Sequence, residues 1–390
     1  MSDTHRPAIT LSALGLRWHS ENGTPAPRRL IAADPTLPTR AAYQLACEST
    51  ALLWHGDYPG ALRLLHAMRR HAERPRSRSR QSTVRTDAPV PGSPAEAFRR
   101  HRRERACLAR ALAMLVVPLG TDHRIPLDGA PDVREACRAA YGPILDNRIV
   151  SLRELLGVVG AHQWRARGVE VPALGARVHP HYGVFAPVRG EYVGLVARAP
   201  LPPAAREHPT AYDLGTGTGV LAAVLARRGL GPVLVTDVNP RALACAQDNA
   251  RRLGLADRIL PGGSALYPPG TERVALVVCN PPWLPHHTTS TLDQGVYDPG
   301  GRMLHGFLDG LARRLLPGGE GWLVLSDLAE HLGLRTRDDL LSAIAAAGLR
   351  VHGRLDTRPS HPRATHPDPA DPLHAARAAE TTSLWRLTPA

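Results

Sequence analysis

Beyond about residue 177, short apolar runs alternate with helix-length amphipathic segments. That alternation restricts the chain to a mostly parallel sheet with helices on both faces. Residues 211–213, 233–236, 274–278 and 321–325 are the apolar runs. Residues 220–228, 240–253, 303–316 and 337–347 between and after them have helical patterning. Asn239 is placed to cap the second of these helices, and Pro240 suits its first position because the missing N–H would be unpaired there anyway. Two later strand candidates, 350–355 and 382–387, stand where they can close the sheet edge. The expected fold class is therefore α/β, doubly wound and mostly parallel.

Residues 1–176 carry a different pattern and read as a mainly helical accessory and substrate-recognition domain. Leu45, Leu52, Leu53, Leu62, Leu64, Leu65 and Met68 recur near helical spacing over 40–72, interrupted by a turn-like stretch at 56–60. Further helices are expected near 95–115, 131–141 and 152–164. Residues 73–95 lose periodicity and fill with Arg, Ser and Pro, which predicts a solvated, mobile basic loop. Residues 177–390 form the second expected domain.

The 390 residues are 43% hydrophobic, enough for a genuine core. The formal net charge is +13, and with no lysine in the chain the cationic side chains are arginines. An arginine-only basic balance suits nucleic-acid phosphates, since the guanidinium fork donates two parallel hydrogen bonds. Together with the abundant Ala, Gly and Pro it equally reflects a GC-rich coding sequence. Cys47, Cys107, Cys137, Cys245 and Cys279 are far apart and form no Cys-x-x-Cys pair, which argues against a disulfide framework or a structural metal site. Reduced thiols predict a cytoplasmic protein. The N-terminus lacks the pattern of a secretory signal. The best apolar stretch, 106–119, is too short to span a membrane and contains Arg110, so neither a membrane nor a metal partner is expected.

Three sites carry chemistry. The first is the run Asp213, Leu214, Gly215, Thr216, Gly217, Thr218, Gly219, lying between a short strand and a helix. Its glycines permit a tight turn and close approach of a ligand to the backbone. The third glycine falls one place too early for a dinucleotide fingerprint, and no Gly-Lys-Ser/Thr follows to make a P-loop. The second is Asp237, at the carboxyl end of the next strand, where a carboxylate can accept both hydrogens of a ribose diol. The third is Asn280, Pro281, Pro282, Trp283, directly after 274–279. Two prolines stiffen the chain as it leaves the sheet. The Asn280 side chain and the Pro281 carbonyl offer two acceptors for one NH2 group, and Trp283 offers a flat face for a planar amide or base.

This half of the chain resembles the HemK-like and small-domain N-methyltransferases of the class I fold. Residues 213–219 resemble their cofactor loop; Asp237 through Asn249 resembles their second motif; residues 280–283 resemble their (N/D)PP(Y/F/W) motif. Pro187, Val188, Arg189, Gly190 and Glu191 resemble, more loosely, the segment before the cofactor loop. The resemblance implies a seven-stranded, Rossmann-like methyltransferase sheet and an enzyme dependent on S-adenosylmethionine. Cofactor contacts would fall to Asp213, Gly215, Thr216, Gly217, Gly219, Asp237, Val238, Ser264 and Asn280. The acceptor would be handled by Asn280, Pro281, Pro282 and Trp283, with Pro187, Arg189 and Glu191 contributing to its binding. Where many relatives carry an acid near the adenine, this chain has Gly263 and Ser264.

Methyl transfer from a sulfonium is an in-line displacement that demands alignment more than proton transfer, and no dedicated base is needed. His286 and His287 read as ordinary loop residues. The acceptor stays open between a protein glutamine side chain, indicated by the motif set, and an exocyclic base amine in RNA or DNA, indicated by the basic accessory segment and the Trp. A small molecule ranks third. A protein of another class, one that binds the cofactor or nucleic acid without turnover, is the competing reading.

Overall fold

The computed structural model describes residues 15–73, 92–288, 292–359 and 371–390. Most of the basic segment expected to be a mobile loop, 74–91, lies outside the described residues. The chain divides into two compact units, Met1–Gly92 with Arg99–Gln163, and Ser93–Phe98 with Trp164–Ala390.

The first unit contains β1 (Arg17–His19), β2 (Arg29–Ala33), α1 (Thr39–Cys47), β3 (Thr50–Trp54), α2 (Tyr58–Glu73), α3 (Pro94–Ala113), β4 (Leu115–Leu119), α4 (Arg134–Tyr141), β5 (Arg148–Ser151) and α5 (Leu152–Arg167), the last residues of α5 and the first of α3 belonging to the second unit. These helices accompany a five-stranded sheet of order β1-β5-β4-β3-β2 that periodicity did not disclose, so the unit is mixed α/β and not mainly helical. Leu52 and Leu53, which look helical in the sequence, belong to β3, whose five residues are all buried. A run this short and uniformly apolar has no period to betray it, and β3 is flanked by two helices that extend the apparent pattern.

The second unit opens with a hairpin, β6 (Val169–Val171) and β7 (Ala176–Val178), and α6 (Glu191–Arg198). The main sheet follows: β8 (Ala211–Leu214), α7 (Val220–Arg227), β9 (Val233–Thr236), α8 (Pro240–Arg252), β10 (Ile259–Gly263), β11 (Val274–Cys279), α9 (Arg302–Arg314), β12 (Leu315–Ser326), α10 (Leu328–His331), α11 (Arg337–Ala346), β13 (Leu349–Thr357), α12 (His374–Ala379) and β14 (Thr382–Pro389). Its order is β10-β9-β8-β11-β12-β14-β13. The strands are parallel except β14, which runs against both β12 and β13.

The strands read as unbroken apolar runs because helices cover both faces. Leu276, Val278, Trp322 and Val324 enter one core with α6 and α7. Their neighbours Val277, Cys279, Leu323 and Leu325 enter the other with α9 and α11. Asn239 caps α8 as its position suggests, accepting the Arg241 N–H at 3.0 Å, with Pro240 following. The direction of strand succession reverses between β8 and β11, and ligands of open α/β sheets bind in the crevice at such a reversal.

Candidate functional site at the strand reversal

Leu214 and Cys279, the last residues of β8 and β11, are register partners. Gly215 and Asn280 therefore leave the sheet side by side. Leu214 is also paired with Thr236 at the end of β9, which puts Asp237 on the opposite flank of Gly215. Three sites read separately from the sequence thus meet at one sheet edge. They line a cleft of about 550 Å³.

The glycine loop is held from beneath. Gly215 and Thr216 both donate their N–H groups to the Thr236 carbonyl at 2.9 Å. The Asp213 carboxylate accepts the Thr216 hydroxyl at 2.7 Å and the Ala222 N–H at 3.1 Å, which ties the loop to the first turn of α7. Asp213 is only 1% exposed, and burial pushes its carboxyl up to about 6. Gly215, Gly217 and Gly219 all have positive φ. Gly219 also needs its bareness for packing, since a Cβ there would press on the Ala246 backbone at 3.0 Å. Asn249 completes the support: its amide donates to the Thr218 carbonyl at 3.0 Å while its oxygen accepts the His179 N–H at 2.7 Å.

Asp237 accepts the Gly217 N–H at 3.0 Å through Oδ2 and the Asn239 N–H at 2.9 Å through Oδ1. Each oxygen keeps a further lone pair. Burial raises its carboxyl above the ordinary value, against the pull of those two N–H groups. Val238 beside it lines the cleft while 75% exposed and contributes apolar wall.

Several expected site residues stand elsewhere. Ser264 is exposed and outside the lining; Ala265 and Leu266 form the wall there. Asn280 and Pro282 line the cleft, whereas Pro281 is buried and does not. Trp283 is likewise outside the lining. Its indole packs against both cores, meets Tyr192 edge-on at 6.4 Å, and lies 5.2 Å beneath the Arg189 guanidinium. Its Nε1–H donates to Asn280 Oδ1 at 2.8 Å. The expectation of an indole face turned toward the acceptor is therefore corrected, because packing against the two cores and that hydrogen bond draw the partly buried ring inward. Pro187, Arg189 and Glu191 are also corrected from direct ligand contacts to residues behind the cleft wall. Arg189 donates to Glu191 at 2.9 Å and to both oxygens of Glu380 at 3.2 and 3.1 Å.

Other lining residues carry no motif. Phe185, Tyr192, Gln294, Tyr297, Arg302 and Met303 contribute to the walls. Asp298 caps α9, accepting the Met303 and Leu304 N–H groups at 3.0 and 3.1 Å. Only Tyr192 lay close to a sequence signal, one residue after Glu191. Among the described residues no group of three or more His, Cys, Asp and Glu side chains is arranged to hold a metal. Among them too, no helix is long and apolar enough to cross a membrane.

A sheet of this order, with a glycine loop, a strand-end carboxylate and an Asn-Pro-Pro exit at its reversal, defines a class I methyltransferase domain. Residues 177–337 match the sequence profile of the methyltransferase small domain. The chain is 36% identical over 167 residues to a release factor glutamine methyltransferase of Bordetella pertussis, covering 39% of this chain and 58% of that protein. It is 40% identical over 121 residues to one of Moorella thermoacetica, covering 30% and 43%. It is 36% identical over 182 residues to one of Cereibacter sphaeroides, covering 44% and 63%. The chain thus spans about half the length of the curated relatives it matches.

Proposed function

We propose that the chain is an S-adenosylmethionine-dependent N-methyltransferase whose acceptor is the side-chain amide of a protein glutamine. The observation that carries this reading is the side-by-side exit of Gly215 and Asn280 from paired strand ends, with Asp237 across the same cleft. The similarity to release factor glutamine methyltransferases over this segment supports the acceptor.

The residues fit the cofactor. A Cβ built on Gly217 has nothing within 4 Å, so a ligand can lie directly on the backbone there. The spare lone pairs of Asp237 suit a ribose diol, and Val238, Ala265 and Leu266 supply apolar wall. A cleft of about 550 Å³ is of the size that takes a nucleoside-sized ligand. When bound, the cofactor supplies an electrophilic methyl group on a sulfonium.

Asn280 does the work on the acceptor side. An amide nitrogen is a poor nucleophile because its lone pair is delocalised into the carbonyl. Asn280 Oδ1 accepts an N–H of that nitrogen and fixes its position at the strand end. The bond strengthens as positive charge develops on nitrogen, so it favours the transition state over the ground state. Pro282 and the rigid strand end limit drift of the acceptor, and alignment is the larger contribution. The exocyclic amine of a nucleic-acid base is the less favoured acceptor, because the relatives similar over this segment are release factor glutamine methyltransferases. The five free thiols accord with a reducing cytoplasm.

Incubation with radiolabelled S-adenosylmethionine and a Gly-Gly-Gln peptide tests the reading. Wild type should label the glutamine, and Asn280→Ala should abolish labelling while retaining cofactor binding by calorimetry. Labelling of fractionated extract that RNase removes and protease does not would overturn it.

A further inference from the structure

We infer that Trp283 is a positioning residue: its indole N–H sets which end of the Asn280 amide faces the acceptor, and a chain of contacts from Glu380 through Arg189 holds the indole in place. The inference rests on the glutamine-methylation reading and assigns within it a role to the last residue of the Asn-Pro-Pro-Trp run.

An asparagine amide has an oxygen at one end and an NH2 at the other, nearly identical in shape and opposite in function. A rotamer flip of Asn280 would turn a donor toward an acceptor N–H that itself needs an oxygen. Something must therefore choose between the two orientations. Trp283 Nε1 can only donate, and it lies 2.8 Å from Asn280 Oδ1. The flipped amide would set two donors against each other in a half-buried site, leaving both unpaired. The indole thus fixes the oxygen, and that oxygen keeps one lone pair for the incoming N–H.

The indole is itself fixed. The Arg189 guanidinium lies 5.2 Å from its ring centroid, a cation–π arrangement, and Tyr192 meets it edge-on. Arg189 donates to Glu191 and, with two nitrogens, to Glu380. Glu380 is 1% exposed and also accepts the Ser326 hydroxyl at 2.6 Å. A residue just before β14, near the end of the chain, is in this way connected to the amide at the end of β11. Packing alone accounts for the partly buried ring; it does not account for the N–H meeting the Asn280 oxygen at the lip of the cleft.

Trp283→Phe keeps a ring and removes the N–H. Asn280→Asp offers two equivalent oxygens, so it has no orientation to lose. The four chains of this cycle would be compared for methyl transfer to a Gly-Gly-Gln peptide and for S-adenosylmethionine binding. The indole proton of Trp283 would be followed by NMR hydrogen exchange in wild type and Asn280→Ala. Expected results are a fall in kcat of about tenfold in Trp283→Phe with cofactor Kd held within about twofold, and a clearly smaller fall when the same change is made in Asn280→Asp. The indole proton should be protected in wild type and lose protection in Asn280→Ala. An unchanged kcat in Trp283→Phe, an equal loss in both backgrounds, or an indole proton that exchanges equally fast with and without Asn280 would overturn the inference. If wild type leaves the peptide unmethylated, the acceptor assignment fails instead, and a protected indole proton that depends on Asn280 still supports the positioning role.

Discussion

Gly215 and Met303 are fitted to each other: a Cβ on Gly215 would collide with the Met303 side-chain methyl. The first glycine of the cofactor loop and the first turn of α9 consequently share one boundary of the cleft. Gly215 also holds a φ of +69°, where a side chain is strained whatever room it has.

Gly215→Ala should therefore weaken the fold and the site together. Strain at this φ costs roughly 1–2 kcal/mol, and displacement of Met303 should raise the cofactor Kd by about tenfold or more. Adding Met303→Ala should recover the part due to the collision and leave the part due to φ. Thermal unfolding and calorimetry on both variants measure this; full recovery in the double variant would mean that φ contributes nothing.

Asp237 gives a pH dependence of known sign. Burial raises its carboxyl, so on acidification it takes up a proton earlier than an ordinary carboxylate. A protonated Asp237 loses acceptor capacity toward a diol while the Gly217 and Asn239 N–H groups still occupy it. Cofactor affinity should fall with decreasing pH, starting above the usual carboxylate range. Asp237→Asn should bind about tenfold to a hundredfold more weakly at neutral pH and lose that dependence. Calorimetric Kd values from pH 5 to 8 decide it.

The sheet and the three motif positions were legible because each is dictated locally. A strand buried on both faces must be apolar, a backbone at positive φ selects glycine, and two prolines end a strand. The orientation of Trp283 was not legible. Whether an aromatic faces the cleft or the core depends on Arg189, Tyr192 and Glu380, which lie about 90 residues before and 100 after it. The wall at Ala265 and Leu266 was missed for a similar reason: these side chains carry no chemistry, and only the register of β9 against β10 brings them to the cleft. The sheet of the first unit escaped because β3 sits between helices as a five-residue run without a period of its own.

Asp213 should leave a signature in stability rather than binding. Its carboxyl ordinarily titrates at 3.8 and is pushed by burial to about 6 in the fold. Between those values the folded chain keeps a proton that the unfolded chain has released. Stability from this group is thus greatest below 3.8, declines as pH rises toward 6, and is level above that. The decline should be on the order of 3 kcal/mol. The difference in unfolding free energy between wild type and Asp213→Asn, followed by denaturant titration from pH 4 to 7, should shrink or reverse against wild type as pH rises. A difference moving the other way would contradict the assigned burial.

Glu380 tests whether the support behind the cleft is a coupled pair or an incidental contact. It is almost wholly buried and meets Arg189 through two guanidinium nitrogens, while Arg189 remains partly exposed. Removing only the Glu380 carboxylate, as in Glu380→Leu, leaves Arg189 with Glu191 as its one remaining carboxylate partner and the Ser326 hydroxyl without its acceptor. Breaking such a buried pair from one side costs about 3–5 kcal/mol, whereas replacing both partners with apolar groups costs far less. Glu380→Leu should accordingly lower stability by a few kcal/mol, and adding Arg189→Met together with Glu191→Gln, which removes the third charge of the cluster, should restore a good part of it. The triple variant should nonetheless remain slow in methyl transfer, because the apolar replacement refills the volume but no longer holds a cation over the Trp283 ring. Recovery of stability together with full recovery of kcat would mean that the guanidinium supports the fold and leaves the indole unaffected.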